Sequence, residues 1–173
     1  MSRLRLPALA LAALLLSVLS CTQPKPVEGP LDAEPGTVEQ LGNPNMPLIE
    51  AAHKDVAAGP DDVVIYYWRP DAAYDKWGFW IWAFPGGDGS LYWDRSQKLS
   101  VSNGVGYLKF RRDGSDIGIS LVGTKGTGII ARKVDGWTKD GDKDRIFNTV
   151  VTNEWVIFSG DQKTWPYGAY RPS

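Results

Sequence analysis

The chain has 173 residues and a formal net charge of −1, with eight Trp, seven Tyr, five Phe and a single Cys. Near-neutral charge offers no basic field for nucleic acid, and one cysteine cannot close an internal disulfide. Every Trp, Tyr and Phe lies beyond Asp61, so the second part alone holds enough apolar material for one domain with a real core of about 110 residues.

The first twenty residues read as an export signal. Arg3 and Arg5 precede an apolar run from Leu6 to Leu19, in the order of a secretory leader and too short to cross a ~30 Å hydrocarbon layer comfortably. The run ends at Val18-Leu19-Ser20-Cys21. This tetrapeptide resembles a bacterial lipobox, although Leu19 is a less usual occupant of its slot than a small residue. The resemblance implies that Cys21 is the lipidated first residue of the mature protein and that the chain is held at a membrane of the cell envelope. Thr22, in place of an aspartate, implies the outer membrane where there are two. Residues 21 to 61 form a Pro-rich segment, with seven of the twelve prolines at positions 22 to 61 and no aromatic residue. It has little to bury and is expected to act as a flexible linker. One short helix is expected over residues 45 to 59. His53, the only histidine, is expected to be solvated rather than a ligand or a base.

From Asp62 onward the chain reads as strands. Val63 to Trp68 is β-branched and aromatic and is broken by Arg69-Pro70-Asp71. Phe79 to Phe84 follows, ended by Pro85-Gly86-Gly87. Further strands are expected at Gly106–Arg111, Ile117–Val122, Thr127–Lys133 and Glu154–Ser159. Leu91 to Val105 fits less well and reads as an inserted hairpin with Trp93 near its tip. Short strands separated by turn signals, without a helical period, predict an all-β antiparallel β-sandwich.

In the second strand, residues two apart share a face, so Phe79 and Ile81 oppose Trp80 and Trp82. Phe and Ile carry no polar atom, whereas each indole has an N–H that wants a partner. The Phe79/Ile81 pair is therefore expected inside and the tryptophans outside, as a binding surface. Flat indoles suit sugar rings, whose faces are apolar and whose edges carry hydroxyls. Candidate polar partners lie in the loop Asp135 to Arg145. Its Asp140, Asp142 and Asp144 have the spacing of a calcium loop, but Arg145 stands where that loop needs glycine and Val151 where it needs glutamate. No metal or cofactor is expected.

Residues 62 to 170 resemble the pullulanase-associated domain, carbohydrate-binding module family 41. The matching stretches are YYWRPDAAYDKWGFWIW (66–82), GIIARKVDGWTKDGDKDR (128–145) and EWVIFSGD (154–161). The resemblance implies an immunoglobulin-like sandwich that binds α-1,4-linked glucans such as starch, glycogen and pullulan. It implies that Trp80 and Trp82 form the platform and that Lys139 and Asp144 hydrogen-bond to the sugar. Such a module ordinarily precedes a catalytic barrel, for which the chain leaves no room after it. Glu154 is the only glutamate beyond Glu50 and has no evident acid or base partner. A non-catalytic protein is therefore expected, working beside a separate glucan hydrolase. The alternatives are an envelope protein-interaction module or the binding remnant of a truncated pullulanase.

Overall fold

The computed structural model describes residues 43–84, 97–148 and 152–167. Cys21, Trp93 and most of the linker lie outside them. One helix, α1 (Met46–Val56), precedes the strands β1 (Asp62–Trp68), β2 (Trp77–Phe84), β3 (Gln97–Lys98), β4 (Ser100–Ser102) and β5 (Val105–Arg111). The strands β6 (Gly126–Lys133), β7 (Arg145–Phe147), β8 (Glu154–Phe158) and β9 (Trp165–Pro166) follow. They form two sheets, ordered β4-β5-β1-β8-β9 and β3-β2-β6-β7. All pairings are antiparallel except β1 with β8, which run parallel.

The sheets pack face to face, each strand giving alternate side chains to the layer between them. Val63, Ile65 and Tyr67 from β1, with Trp155 and Ile157 from β8, meet Phe79 and Ile81 from β2 and Ile129 and Ala131 from β6. The alternate residues of the first sheet are also covered. Val64, Tyr66, Val156 and Phe158 form a second core beneath Ile49 and Ala52 of α1. The molecule thus has three layers, helix on sheet on sheet.

The expected strands at the first, second, third, fifth and sixth positions are present within two residues of their predicted limits. Ile117–Val122 is a correction. It is irregular, turning at Gly118 with φ of +75°, yet Ile119 and Leu121 are buried in the main core. Apolar alternation there reports burial without pairing. Of the expected insertion, residues 91 to 96 lie outside the described residues; the rest supplies β3 and β4.

The expected helix is present, but it is docked rather than free. His53, expected to be solvated, is a second correction. Its Nδ1 lies 2.6 Å from Glu154 Oε2, and its ring centroid is 4.5 Å from that of Tyr167. Glu154 also accepts from the backbone N–H of Ala58 at 2.8 Å and from the Tyr66 hydroxyl at 3.3 Å. One carboxylate on β8 thereby holds the end of α1. Burial and then the Glu154 charge push the Tyr66 phenol well above its ordinary value, which keeps it a neutral donor.

Candidate functional site

Period-two alternation along β2 turns Phe79 and Ile81 into the core and leaves Trp80 and Trp82 on the outer face of the second sheet, each half-buried. Their rings are 6.3 Å apart with planes at 64°. The neighbouring strand is shaped to receive them. Trp82 pairs in register with Gly128, and Trp80 with Ile130. A Cβ at residue 128 would fall inside the Trp82 indole, so the glycine lets the ring lie down against β6.

β6 then turns back on itself. Lys133 N–H donates to Thr138 O at 2.9 Å and Asp140 N–H to Ala131 O at 2.8 Å. Lys139 sits opposite Arg132 in this extension. The turn carries Trp137, which is 44 % exposed. Its ring packs edge-on against Trp80 at 4.9 Å and 66°, while the Arg132 guanidinium lies 4.4 Å from its centroid. Three indoles therefore line one side of the molecule, in sequence with a cationic stack worth about 0.5–2 kcal/mol. Trp137 lies in the loop singled out from the sequence for its polar residues. A lone Trp between Gly136 and Thr138 has no periodicity to betray its direction.

Beside the indoles, Lys139 Nζ donates to Asp144 Oδ1 at 3.0 Å. Both side chains are about one-third exposed, at 36 % and 32 %, so they remain open to a ligand edge. All four sequence-derived site residues thus belong to the outer side of the second sheet and its connecting loop.

The residue that follows each of these two charges, Asp140 after Lys139 and Arg145 after Asp144, turns inward. Asp140 accepts from Ser159 Oγ at 3.1 Å and from Gly160 N–H at 3.0 Å on one oxygen. Its other oxygen accepts from Arg145 Nη2 at 3.4 Å. Arg145 donates in turn to the Asp161 carbonyl at 2.5 Å. Arg69 approaches Asp140 at 3.9 Å and stacks 4.0 Å from the Trp77 centroid. Burial lowers the Arg145 pKa against the opposing pull of Asp140. Burial likewise works against the Arg69 charge, but hydrogen bonds to Asp71 and Tyr67 outweigh it and hold its pKa above the ordinary value. The calcium-like aspartate spacing is thereby explained: Asp140 faces two buried arginines and Asp144 faces Lys139, so these carboxylates point apart. Among the described residues no group of three His, Cys, Asp or Glu side chains is placed to hold a metal ion.

Two packed sheets with indoles on one outer face define a β-sandwich module whose candidate site lies on a sheet surface. Residues 61–166 match the model of the bacterial pullanase-associated domain. The chain belongs to this family. Among solved structures, it is similar to one described as "Alpha-glucan binding by a streptococcal virulence factor", at 16% identity and a TM-score of 0.49, covering 67% of this chain and 51% of that one. It is also similar to one on "Alpha-glucan recognition by family 41 carbohydrate-binding modules from streptococcal virulence factors", at 16% identity and a TM-score of 0.48, covering 64% and 49%. PulA from Klebsiella oxytoca is similar at 15% identity and a TM-score of 0.40, over 64% of this chain and 11% of that one. The chain therefore spans about half the length of the streptococcal structures and far less of PulA. No curated protein sequence matches it.

Proposed function

We propose that the protein binds α-glucans without cleaving them, stacking glucose rings on Trp80 and Trp82. The observation that carries this reading is the outer face of the second sheet, where two indoles 6.3 Å apart and inclined at 64° adjoin an open Lys139–Asp144 pair. Inclined platforms suit a chain whose successive rings turn, as α-1,4-linked glucose does, better than a flat ribbon. Membership of the pullulanase-associated family supports the same substrate class.

If a stacked sugar and indole together lose about 80 Å² of apolar surface, each stack supplies roughly 2 kcal/mol. Two stacks give about 4 kcal/mol, comparable to the lower estimates of the association cost alone. Hydrogen bonds must supply the surplus. Lys139 donates to a hydroxyl oxygen and Asp144 accepts from a hydroxyl, so neighbouring hydroxyls can bridge the pair without leaving either charge unpartnered. Trp137, standing edge-on to Trp80, walls one end of the platform. The expected affinity is modest.

The protein acts at the cell envelope, lipid-anchored through Cys21 on the outer membrane where there are two, and holds glucan near a separate hydrolase. Affinity electrophoresis in gels containing glycogen, pullulan, cellulose or xylan tests the substrate class. Retardation by the first two alone is expected; equal mobility in all four refutes it. Labelled fatty acid should enter the wild-type chain and not Cys21→Ala, and equal labelling removes the anchor.

A further inference from the structure

The two loop charges that face outward and the two that face inward are sequence neighbours. Lys139 is followed by Asp140, and Asp144 by Arg145. Outside, Lys139 Nζ meets Asp144 Oδ1 at 3.0 Å; inside, Arg145 Nη2 meets Asp140 Oδ2 at 3.4 Å. The two pairs thus stand back to back across the same two stretches of backbone. They close the same loop, residues 140 to 144, from opposite sides.

The inner pair is tied to a hydrogen-bonded turn that follows β8. Asp140 Oδ1 is held by Ser159 and Gly160, and the Asp161 carbonyl takes the Arg145 guanidinium through both Nη2 and Nε. These acceptors and donors sit on one turn, closed by the Asp161 N–H donating to Phe158 O at 3.0 Å. Gln162 from the same turn accepts the Lys143 N–H at 2.9 Å. Asp140 is 9 % exposed and Arg145 2 % exposed, so neither reaches a ligand. Backbone alternation does the rest: a residue whose side chain is locked inward fixes the outward direction of its neighbour.

We propose that Asp140 and Arg145 are positioning residues, whose buried pair sets the spacing and direction of the Lys139–Asp144 pair that meets the sugar. The sugar-binding part of this rests on the function proposed above. Without the inner pair, residues 140 to 144 lose their attachment to the Ser159–Gln162 turn. The outer charges then sample many separations, and ligand hydroxyls must order them at an entropic cost.

The test uses the full chain and two readouts. In the absence of sugar, hydrogen exchange of the amides at 139 to 144 should quicken at least tenfold in Asp140→Asn, while amides in β1 and β2 exchange as before. In affinity electrophoresis with glycogen, Asp140→Asn should weaken binding about tenfold in the wild-type background and less than twofold further in a Lys139→Ala background. A general loss of structure would instead lower affinity equally in both backgrounds, and that result overturns the proposal. So does unchanged exchange at 139 to 144. Should Asp140→Asn fail to fold, Arg145→Lys keeps the buried charge but cannot bridge Asp140 and Asp161 together, and the same two patterns are required of it. If the wild-type chain does not bind glycogen, the function proposed above falls, and the exchange readout alone decides whether the inner pair sets the outer one.

Discussion

Strand β2 offers a direct test of which aromatic residues hold the fold and which serve the surface. Phe79 is 0 % exposed and contributes to the core between the sheets. Truncating such a ring costs about 3–5 kcal/mol in transfer and cavity terms. At roughly 4 °C per kcal/mol for a domain of this size, Phe79→Ala should lower Tm by about 12–20 °C. Trp80 and Trp82, one and three residues further along the strand, are half-buried on the outer face. Removing either indole forfeits one sugar stack of roughly 2 kcal/mol, which is a ten- to thirtyfold loss of affinity. Their Tm change should be less than half that of Phe79→Ala. Differential scanning calorimetry and affinity electrophoresis on the same preparations read both quantities. A Trp80→Ala or Trp82→Ala protein that melts as early as Phe79→Ala while binding glycogen normally would refute the assignment of faces.

Three further outcomes follow from particular contacts. Gly128→Val should displace the Trp82 ring from β6 and weaken glycogen binding about tenfold, since a Cβ there would occupy the indole's place; unchanged indole fluorescence and affinity would contradict it. Ile49→Ala should cost about 2–5 kcal/mol in urea unfolding, because its side chain is fully buried against the first sheet, yet leave glucan affinity unaltered. The hydrogen bonds from Arg69 lower Asp71 from an ordinary 3.8 to about 2. The unfolded chain therefore takes up this proton first, and the stabilisation is complete above the ordinary value and lost as pH falls through the folded one. Asp71→Asn should flatten the dependence of the urea midpoint between pH 4 and 2, and an unchanged slope there would refute the coupling.

The main strands were legible because they are rich in β-branched and aromatic residues, while the turns between them are rich in Gly, Pro and Asp. The direction of β2 was legible for a related reason: Phe79 and Ile81 carry no polar atom, while an indole does. What stayed hidden depended on distant partners. Nothing near His53 announces Glu154, which meets it only after β8 has been laid beside β1. Asp140 and Asp144 look equivalent in sequence, and only the inward turn of Arg145 separates a buried anchor from a surface acceptor. Ile117–Val122 shows the converse, an alternating segment whose side chains are buried while its backbone turns away at Gly118. Strands as short as β7 and β9, three and two residues long, carry too few positions for any period to register.

The position of α1 has a geometric consequence for how the module can be joined to other things. The helix and Tyr167 both pack on the first sheet's outer side, with His53 and Tyr167 in ring contact at 4.5 Å, while the indoles occupy the far side of the second sheet. Both ends of the described chain thus depart from the back of the molecule. A segment joined at Asn43 or Tyr167 therefore attaches on the side away from the indoles.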